Sequence, residues 1–311
     1  MWLPSTTANR EDGAVEPEAP HGDVVLPRAQ LGTNSQLRLS GLLADYTFEA
    51  TRGLSSASIV RMLAEFGISA SGARTALSRV AKRGLLQPMR GPDGVRYVIS
   101  EASRRTHAER LRRVVHFGAA PREWDGVWTV VAFSVAERDR SRRARLRLAL
   151  EKALLAPMTD AVWVSPWDVV EEVRAAALEA AANTSILRAT EAAEGTGMRP
   201  LDAFDLPSVR ALYEEYIADF EPIAQAADAG ALPPADALIS RTESVRRWRH
   251  IGLSDPDLPA VLLPDDWPQR RAYGVFSRVW RGLAPLALLR VKDLVRDNDP
   301  ETAEQLDWLD V

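Results

Sequence analysis

The stretch from Leu54 to Ser100 constrains the fold most, because its spacing predicts a helix, a turn and a second helix in direct succession. Ser55 or Ser56 can cap a helix of periodic apolar residues, and Gly67 follows at its C-terminal cap. A second helix begins near Ser71 and presents an apolar stripe on one face. The stripe consists of Ala73, Ala76, Leu77 and Val80. The opposite face is cationic and rich in hydroxyl groups, as in helices that enter DNA.

A β-hairpin follows the second helix. Leu85 and Leu86 lead into a Gly/Pro turn at residues 90–94, and apolar and polar residues alternate over 95–99. A short helix around residues 37–46 is expected to pack behind the motif. The sequence therefore predicts a winged helix-turn-helix domain over residues 35–100, with double-stranded DNA as its partner.

Basic residues concentrate in this region although the whole chain has a formal net charge of −4. Between Ser71 and Arg113 there are eleven lysines and arginines and only three acidic residues. Such a patch can neutralise several phosphates. A solvated helix face is the alternative interpretation of a charge run, but the adjoining helix-turn-helix spacing favours nucleic acid.

Individual roles follow from the way a recognition helix docks, since its first residues meet base edges in the major groove. Base readout is assigned to Ser71, Arg74, Thr75 and Ser78. Phosphate binding is assigned to Arg79, Lys82, Arg83, Arg90 and Arg96. Arginine suits bidentate contact with guanine, which makes Arg74 the first choice for base readout. For Arg79, a salt bridge within the domain is the alternative.

The 311 residues, of which 46% are hydrophobic, are enough for two or three domains of an α+β protein. Residues 1–34 are proline-rich and aperiodic, which predicts a disordered arm. Residues 101–121 are predicted to form a linker helix, and 122–200 a ferredoxin-like α/β sandwich with β-α-β-α-β order. Residues 201–296 are predicted to be a helical domain that dimerises. The acidic tail at 297–311 is expected to be frayed or to form an end helix.

Several classes of site are disfavoured by residue usage. The chain has no cysteine, which excludes disulfides, thiolate metal sites and a cysteine nucleophile. Its four histidines never fall at metal-ligand spacing. No apolar run approaches the roughly 20 residues that span a bilayer, and the N-terminus lacks a signal-peptide pattern. The expectation is a cytoplasmic protein with no metal, no cofactor and no membrane partner.

A set of short motifs lies in fixed order between about Ser35 and Val295. They are Phe66-Gly67-Ile68 and Arg74-Thr75-Ala76-Leu77-Ser78-Arg79 within Val60 to Gly84, Trp124-Asp125-Gly126-Val127-Trp128, Arg143 to Leu150, Trp163-Val164-Ser165-Pro166, Asp255-Pro256-Asp257-Leu258-Pro259, Leu262-Leu263-Pro264 and Asp266-Trp267-Pro268. Together they resemble the PaaX-like transcriptional repressors of phenylacetate catabolism. Gln269 stands where that family usually has glycine, and the wing lacks the family's common Gly-Arg pair.

The resemblance implies a homodimeric repressor on a palindromic promoter element, released by an aryl-acyl-CoA thioester, which is phenylacetyl-CoA in the type member. Such an effector carries phosphates, an adenine and an apolar acyl group, so its site needs cations beside aromatic walls. The candidate effector residues are Trp124, Trp128, Arg140, Arg143 and Trp163. Core packing is the alternative for the tryptophans, and a solvated face is the alternative for the arginines.

The helix that carries these arginines is predicted over about residues 139–155. Its apolar side is expected to consist of Ala144, Leu146, Leu148, Leu150 and Leu154. Arginines are expected on the other side.

Two alternative functions are compatible with parts of the sequence. One is a regulator of a different pathway with a different small-molecule effector. The other is an enzyme, because the second domain also resembles the CRISPR-associated ferredoxin-like nuclease subunit, in which a carboxylate at the end of the first strand holds a metal ion. This chain has Ser134 at that position and no glycine-rich phosphate loop. The sequence therefore predicts a regulator and not an enzyme.

Overall fold

The computed structural model describes residues 34–91, 94–136, 139–192 and 197–311. The predicted N-terminal arm, apart from Asn34, and the centre of the predicted wing turn, Pro92-Asp93, lie outside these residues. The described chain is a mixed α+β protein, as predicted. Its helices are α1 Asn34–Tyr46, α2 Ser56–Ala64, α3 Ala70–Lys82, α4 Glu101–His116, α5 Arg140–Lys152, α6 Val170–Ala180, α7 Leu206–Asp228, α8 Pro234–Ser254, α9 Gln269–Gly282, α10 Ala284–Arg296 and α11 Pro300–Gln305. Its strands are β1 Leu54–Ser55, β2 Leu86–Gly91, β3 Gly94–Ile99, β4 Trp128–Ser134, β5 Ala156–Pro157, β6 Val162–Ser165 and β7 Asn183–Ala189.

Local capping signals explain the first helices. The Ser55 hydroxyl accepts a hydrogen bond from the Ser58 amide at the start of α2, which confirms one of the two predicted caps. Ser69 caps α3 in the same way, so α3 begins one residue before the predicted Ser71. The predicted apolar stripe of α3 is buried. Strands β2 and β3 pair antiparallel, and β1 joins β3 on its other side, giving the sheet order β1-β3-β2.

The core beneath these elements is not closed within residues 35–100. Helices α1, α2 and α3 share one buried apolar cluster with α8, α10 and α11, to which Leu238, Val291, Leu294 and Leu306 contribute. The predicted boundary at residue 100 therefore does not delimit an independent hydrophobic core. The N-terminal elements are packed directly onto the C-terminal helices.

The C-terminal segment is also part of this packing, although the sequence predicted an acidic tail at 297–311. Thr302, Ala303 and Leu306 are buried, and the amide of Leu309 donates to the carbonyl of Asp45 in α1. Of the two expected forms of this segment, the structure has the end helix, α11, and Ala303 and Leu306 complete the core that α1 begins.

The middle region forms a four-stranded antiparallel sheet in the order β5-β6-β4-β7. The sequence analysis predicted five alternating elements and did not include the two-residue strand β5. With β5, the order of the elements is β-α-β-β-α-β. Helices α5 and α6 cover the sheet face on which Val131 pairs with Trp163. Trp128 and Val164 lie on the other face, which is covered by Phe204 and other residues from the C-terminal side.

The C-terminal helices α7, α8 and α9 enclose an aromatic core. Trp248 is completely buried and stacks on Phe276 with ring centroids 5.0 Å apart. Tyr216 tilts against the same indole and bonds to the Ser244 hydroxyl at 2.6 Å. Burial raises the pKa of Tyr216, so its hydroxyl stays neutral. These aromatic residues are thus packed within the chain itself.

The proline-rich loop after α8 connects the C-terminal helices to the middle region. The buried Asp255 carboxylate accepts hydrogen bonds from the Tyr213 hydroxyl and from the Asp257 amide, and burial raises its pKa. Asp257 has a left-handed backbone with φ 54° and pairs with Arg122 at 2.9 Å. The Arg122 guanidinium lies 3.5 Å from the ring centroid of Trp167. The motif residues of this loop therefore hold two regions together.

Candidate nucleic-acid interface

The outer face of α3 is the strongest candidate for contact with nucleic acid. Its apolar stripe is turned into the core, and its polar side chains are exposed. The exposed set is Ser71, Arg74, Thr75, Ser78, Arg79 and Lys82. In the part of the chain that the structure describes, Arg74, Arg79 and Lys82 have no hydrogen-bonding or ion-pairing side chain beside them. The salt bridge considered for Arg79 is absent from these residues, so three cations face solvent.

Hydroxyl groups at the start of α3 are held in place by local hydrogen bonds. The Thr75 hydroxyl donates to the Ser71 carbonyl at 2.9 Å, and the Ser71 and Ser69 hydroxyls are 3.2 Å apart. A hydroxyl that donates once still has acceptor capacity. Ser71, Thr75 and Arg74 thus form a compact polar group on the first turns of the helix.

The hairpin of β2 and β3 adds a second exposed surface. Met89 and Val95 are each 43% exposed, and Arg90 beside them is exposed without a carboxylate partner among the described residues. Arg83, at the end of α3, is half-buried. A ribbon tip with one cation and two apolar side chains is suited to the edge of a DNA groove.

Arg96 does not belong to this surface. Its guanidinium donates to Asp299 at 2.7 Å, and its side chain is mostly covered. The predicted phosphate contact is therefore corrected to an intramolecular ion pair. The sequence offered no local signal for this pairing, because the two residues are separated by 203 positions.

Asp299 connects the C-terminus to the start of α2. It is only 1% exposed. One carboxylate oxygen accepts hydrogen bonds from the Ser55 amide at 2.9 Å, the Ser55 hydroxyl at 2.8 Å and the Ser58 hydroxyl at 2.6 Å, while the other accepts from Arg96. A carboxylate at a helix N-terminus is also favoured by the helix dipole. Asp299 thus fixes α2 and strand β3 relative to the C-terminal helices.

The arginine-rich helix α4 contributes less uncompensated charge than its composition suggests. Arg105 pairs with Glu101 and Arg113 with Glu109 along the same helix face. Arg104 lies over the Phe48 ring and donates to the Ala50 carbonyl. Within the described chain, the N-terminal cations of Arg74, Arg79, Lys82 and Arg90 are therefore more available to an external anion than these three.

The five candidate effector residues are not brought into one pocket. Trp128 is 1% exposed and Trp163 is 2% exposed, and the antiparallel register places them on opposite faces of the sheet. Trp124 donates to the Pro166 carbonyl at 2.9 Å, Arg143 donates to the Val135 carbonyl at 3.0 Å, and Arg140 is exposed. The prediction of a single site lined by these residues is wrong, because core packing takes up the two buried tryptophans.

Among the described residues, no group of three or more histidine, aspartate or glutamate side chains could hold a metal ion. In that part of the chain, no helix combines the length and the apolar character that a membrane span requires.

Comparison with known proteins gives consistent matches along the chain. A family model described as PaaX-like protein matches residues 38–103, one described as PaaX protein central Cas2-like domain matches 121–199, and one described as PaaX-like protein C-terminal domain matches 204–291. The transcriptional repressor PaaX of Escherichia coli (strain K12) is 25% identical over 246 residues, which is 76% of each chain. The solved structure of the uncharacterized protein Rv0674 from Mycobacterium tuberculosis shares the fold, with a TM-score of 0.54 and 23% identity over 82% of this chain and 97% of that one. Because the three domain models follow one another in order, the chain belongs to the PaaX-like family.

Proposed function

We propose that this protein is a sequence-specific DNA-binding transcriptional repressor whose α2, α3 and β2-β3 hairpin form a winged helix-turn-helix. The exposed polar face of α3, with three cations that lack partners among the described residues, is the observation that carries the proposal. Family membership and the curated repressor relative support it. The middle region, with its β-α-β-β-α-β order, is assigned as a ferredoxin-like sandwich without a catalytic role.

Two groups of side chains have different tasks in this proposal. Ser71, Arg74, Thr75 and Ser78 contact base edges, because they occupy the first turns of the helix that enters the major groove. Arg79, Lys82, Arg83 and Arg90 contact phosphates, which supplies affinity and salt dependence. Binding to two half-sites of a palindrome requires a homodimer.

We expect Arg74→Ala and Lys82→Ala to fail in different ways. Arg74→Ala removes one bidentate base contact, which weakens the free energy of binding to the operator by about 1–3 kcal/mol and leaves non-specific binding almost unchanged. Lys82→Ala removes one phosphate contact, which weakens binding to all DNA sequences to a similar degree. It also reduces the slope of the logarithm of affinity against the logarithm of salt concentration by about one. The measurement is fluorescence anisotropy with the protein's own upstream promoter and a scrambled duplex, at four salt concentrations. Equal losses on both duplexes for Arg74→Ala would contradict the base-readout assignment.

The proposed effector is an aryl-acyl-CoA thioester that releases the protein from its operator. This part rests on family membership, and no effector residues are assigned. The experiment titrates the protein–promoter complex at fixed salt with phenylacetyl-CoA, free phenylacetate and CoA. We expect release by the thioester alone. Tight binding that is indifferent to all three would favour the second candidate, a regulator of another pathway with a different effector.

A further inference from the structure

The turn between α2 and α3 is held by a side chain from a C-terminal helix. Arg290 of α10 donates from Nε and from Nη2 to the two carboxylate oxygens of Glu65, at 3.0 and 2.6 Å. Both side chains are partly covered, with exposed fractions of 32% for Arg290 and 15% for Glu65. A two-point pair of this kind fixes the guanidinium and the carboxylate in one relative orientation. The end of α2 is therefore fixed relative to α10.

Glu65 is an unusual residue for its place in the helix. It lies at the C-terminal cap of α2, where the helix dipole disfavours a negative charge. The Arg290 cation compensates this charge. Local helix preferences therefore do not account for a glutamate at position 65, whereas the ion pair with α10 does.

The turn that leads into α3 begins directly after Glu65. The amides of Gly67 and Ile68 donate to carbonyl oxygens in the last turn of α2, which ties the turn to the end of that helix. Gly67 has a φ of 70°, a left-handed conformation that favours glycine. Ser69 then caps α3. A displacement at Glu65 is therefore passed on to the start of α3.

Both ends of α2 are anchored to C-terminal segments. Asp299 holds the start of the helix through Ser55 and Ser58, and Arg290 holds its end through Glu65. A helix that is held at one point can still pivot, whereas two anchors fix its direction as well. The direction of α2, and with it that of α3, therefore depends on both anchors.

We propose that Arg290 is a positioning residue for sequence-specific DNA recognition, because its pair with Glu65 sets the angle at which α3 enters the major groove. This inference rests on the proposed function of α3 as the recognition helix. Contacts with base edges require side chains held within about 0.5 Å of the productive geometry. Phosphate contacts made by long, flexible side chains tolerate a small rotation of the helix. Loss of the pair should therefore reduce discrimination between DNA sequences more than it reduces general affinity for DNA.

An exchange of charge between the two positions tests this role in the full chain. Arg290→Glu and Glu65→Arg each place like charges opposite each other, and the double variant restores an opposite pair with the net charge of the wild type. Fluorescence anisotropy at one salt concentration measures the dissociation constants for the upstream promoter duplex and for a scrambled duplex. The readout is the ratio of the two constants, because a lower folded fraction or an altered net charge shifts both constants together.

We expect each single variant to lose about tenfold in this ratio, and the double variant to recover most of the loss. The matched control is Arg296→Glu, which reverses the charge of another arginine on α10. Its partner Asp293 lies in the same helix, so this variant should keep the wild-type ratio.

A wild type that binds both duplexes equally would overturn the proposed sequence-specific function itself. If the wild type discriminates, an unchanged ratio in Arg290→Glu would overturn the positioning role alone. Failure of the double variant to recover would also overturn it, because Arg290 would then act through something other than its pair with Glu65.

Discussion

Asp299→Ala is expected to lower the free energy of unfolding by about 3 kcal/mol, because it removes one partner of a buried ion pair. Four hydrogen-bond donors meet the Asp299 carboxylate, and without it the Ser58 hydroxyl and the Arg96 guanidinium remain covered but lose their acceptor. The loss lies near the lower end of the range for broken buried pairs, since Arg96 is partly exposed. Denaturant unfolding of the full chain measures it.

Asp297→Ala is the matched control for this experiment. Asp297 lies two residues earlier in the same segment and pairs with Arg61 of α2 at 2.6 Å, but both side chains are exposed. Exposed ion pairs contribute at most about 1 kcal/mol. Similar losses in the free energy of unfolding for the two substitutions would show that the buried Asp299 contributes no more to stability than the exposed Asp297.

The Asp299→Ala change should also act locally on the proposed DNA-binding elements. Asp299 contacts the cap residue of α2 and the strand β3, so hydrogen exchange is expected to accelerate at the α2 amides near Ser58 and at the β3 amides around Arg96. Asp297→Ala should leave both regions protected. Uniform acceleration across the whole chain would instead indicate a global loss of stability.

Local signals in the sequence were sufficient to predict the N-terminal helices and hairpin. Ser55 caps α2, and Ala73, Ala76, Leu77 and Val80 of α3 are buried at the predicted spacing. Such features depend on residues three or four positions apart, which sequence periodicity reports directly. The outward face of α3 follows from the same periodicity, so the exposed positions of the candidate DNA-contacting residues could also be predicted.

Features that depend on distant pairing could not be predicted. Arg96 looked like a phosphate contact because its partner Asp299 is remote in sequence. Trp128 and Trp163 were both candidates for the effector site because each lies near the end of a predicted strand, and only the strand register places them on opposite faces. Leu148 fitted an apolar stripe by composition, yet it points away from the sheet because Leu146 and Leu150 already occupy the inner face of α5.

The second large effect is expected from Arg241→Met, with a loss of about 3–5 kcal/mol in the free energy of unfolding. Arg241 is 1% exposed in α8, and its guanidinium lies 3.5 Å from the ring centroid of Trp280. It donates to the Trp280 carbonyl and to the Tyr46 hydroxyl, each at 3.0 Å. Burial raises the pKa of Tyr46, so the phenol is a neutral acceptor for this cation. Arg241 therefore joins α8 and α9 to α1.

Arg246→Met provides the control for Arg241→Met on the same helix. Arg246 is exposed and pairs with Glu243 along the helix, an arrangement worth a few tenths of a kcal/mol. We expect its loss to change the free energy of unfolding by less than about 1 kcal/mol. A comparable loss for both arginines would argue that the junction formed by Arg241 contributes no more than a surface pair.

A double-mutant cycle with Asp45→Asn separates the charge interaction from simple packing. Asp45 lies 3.9 Å from Arg241 and 3.4 Å from the His107 imidazole of α4, so its carboxylate meets side chains from two other elements. After Arg241→Met, the Asp45 carboxylate stays buried without the Arg241 cation, which destabilises the folded state. Asp45→Asn removes the buried charge and therefore this destabilisation. We therefore expect the double variant to be more stable than the sum of the single losses predicts, by about 2 kcal/mol. Strict additivity would mean that Arg241 stabilises the junction through its stacking and neutral hydrogen bonds alone. The predicted coupling would instead mean that a buried charge pair connects the proposed DNA-binding elements to the C-terminal helices.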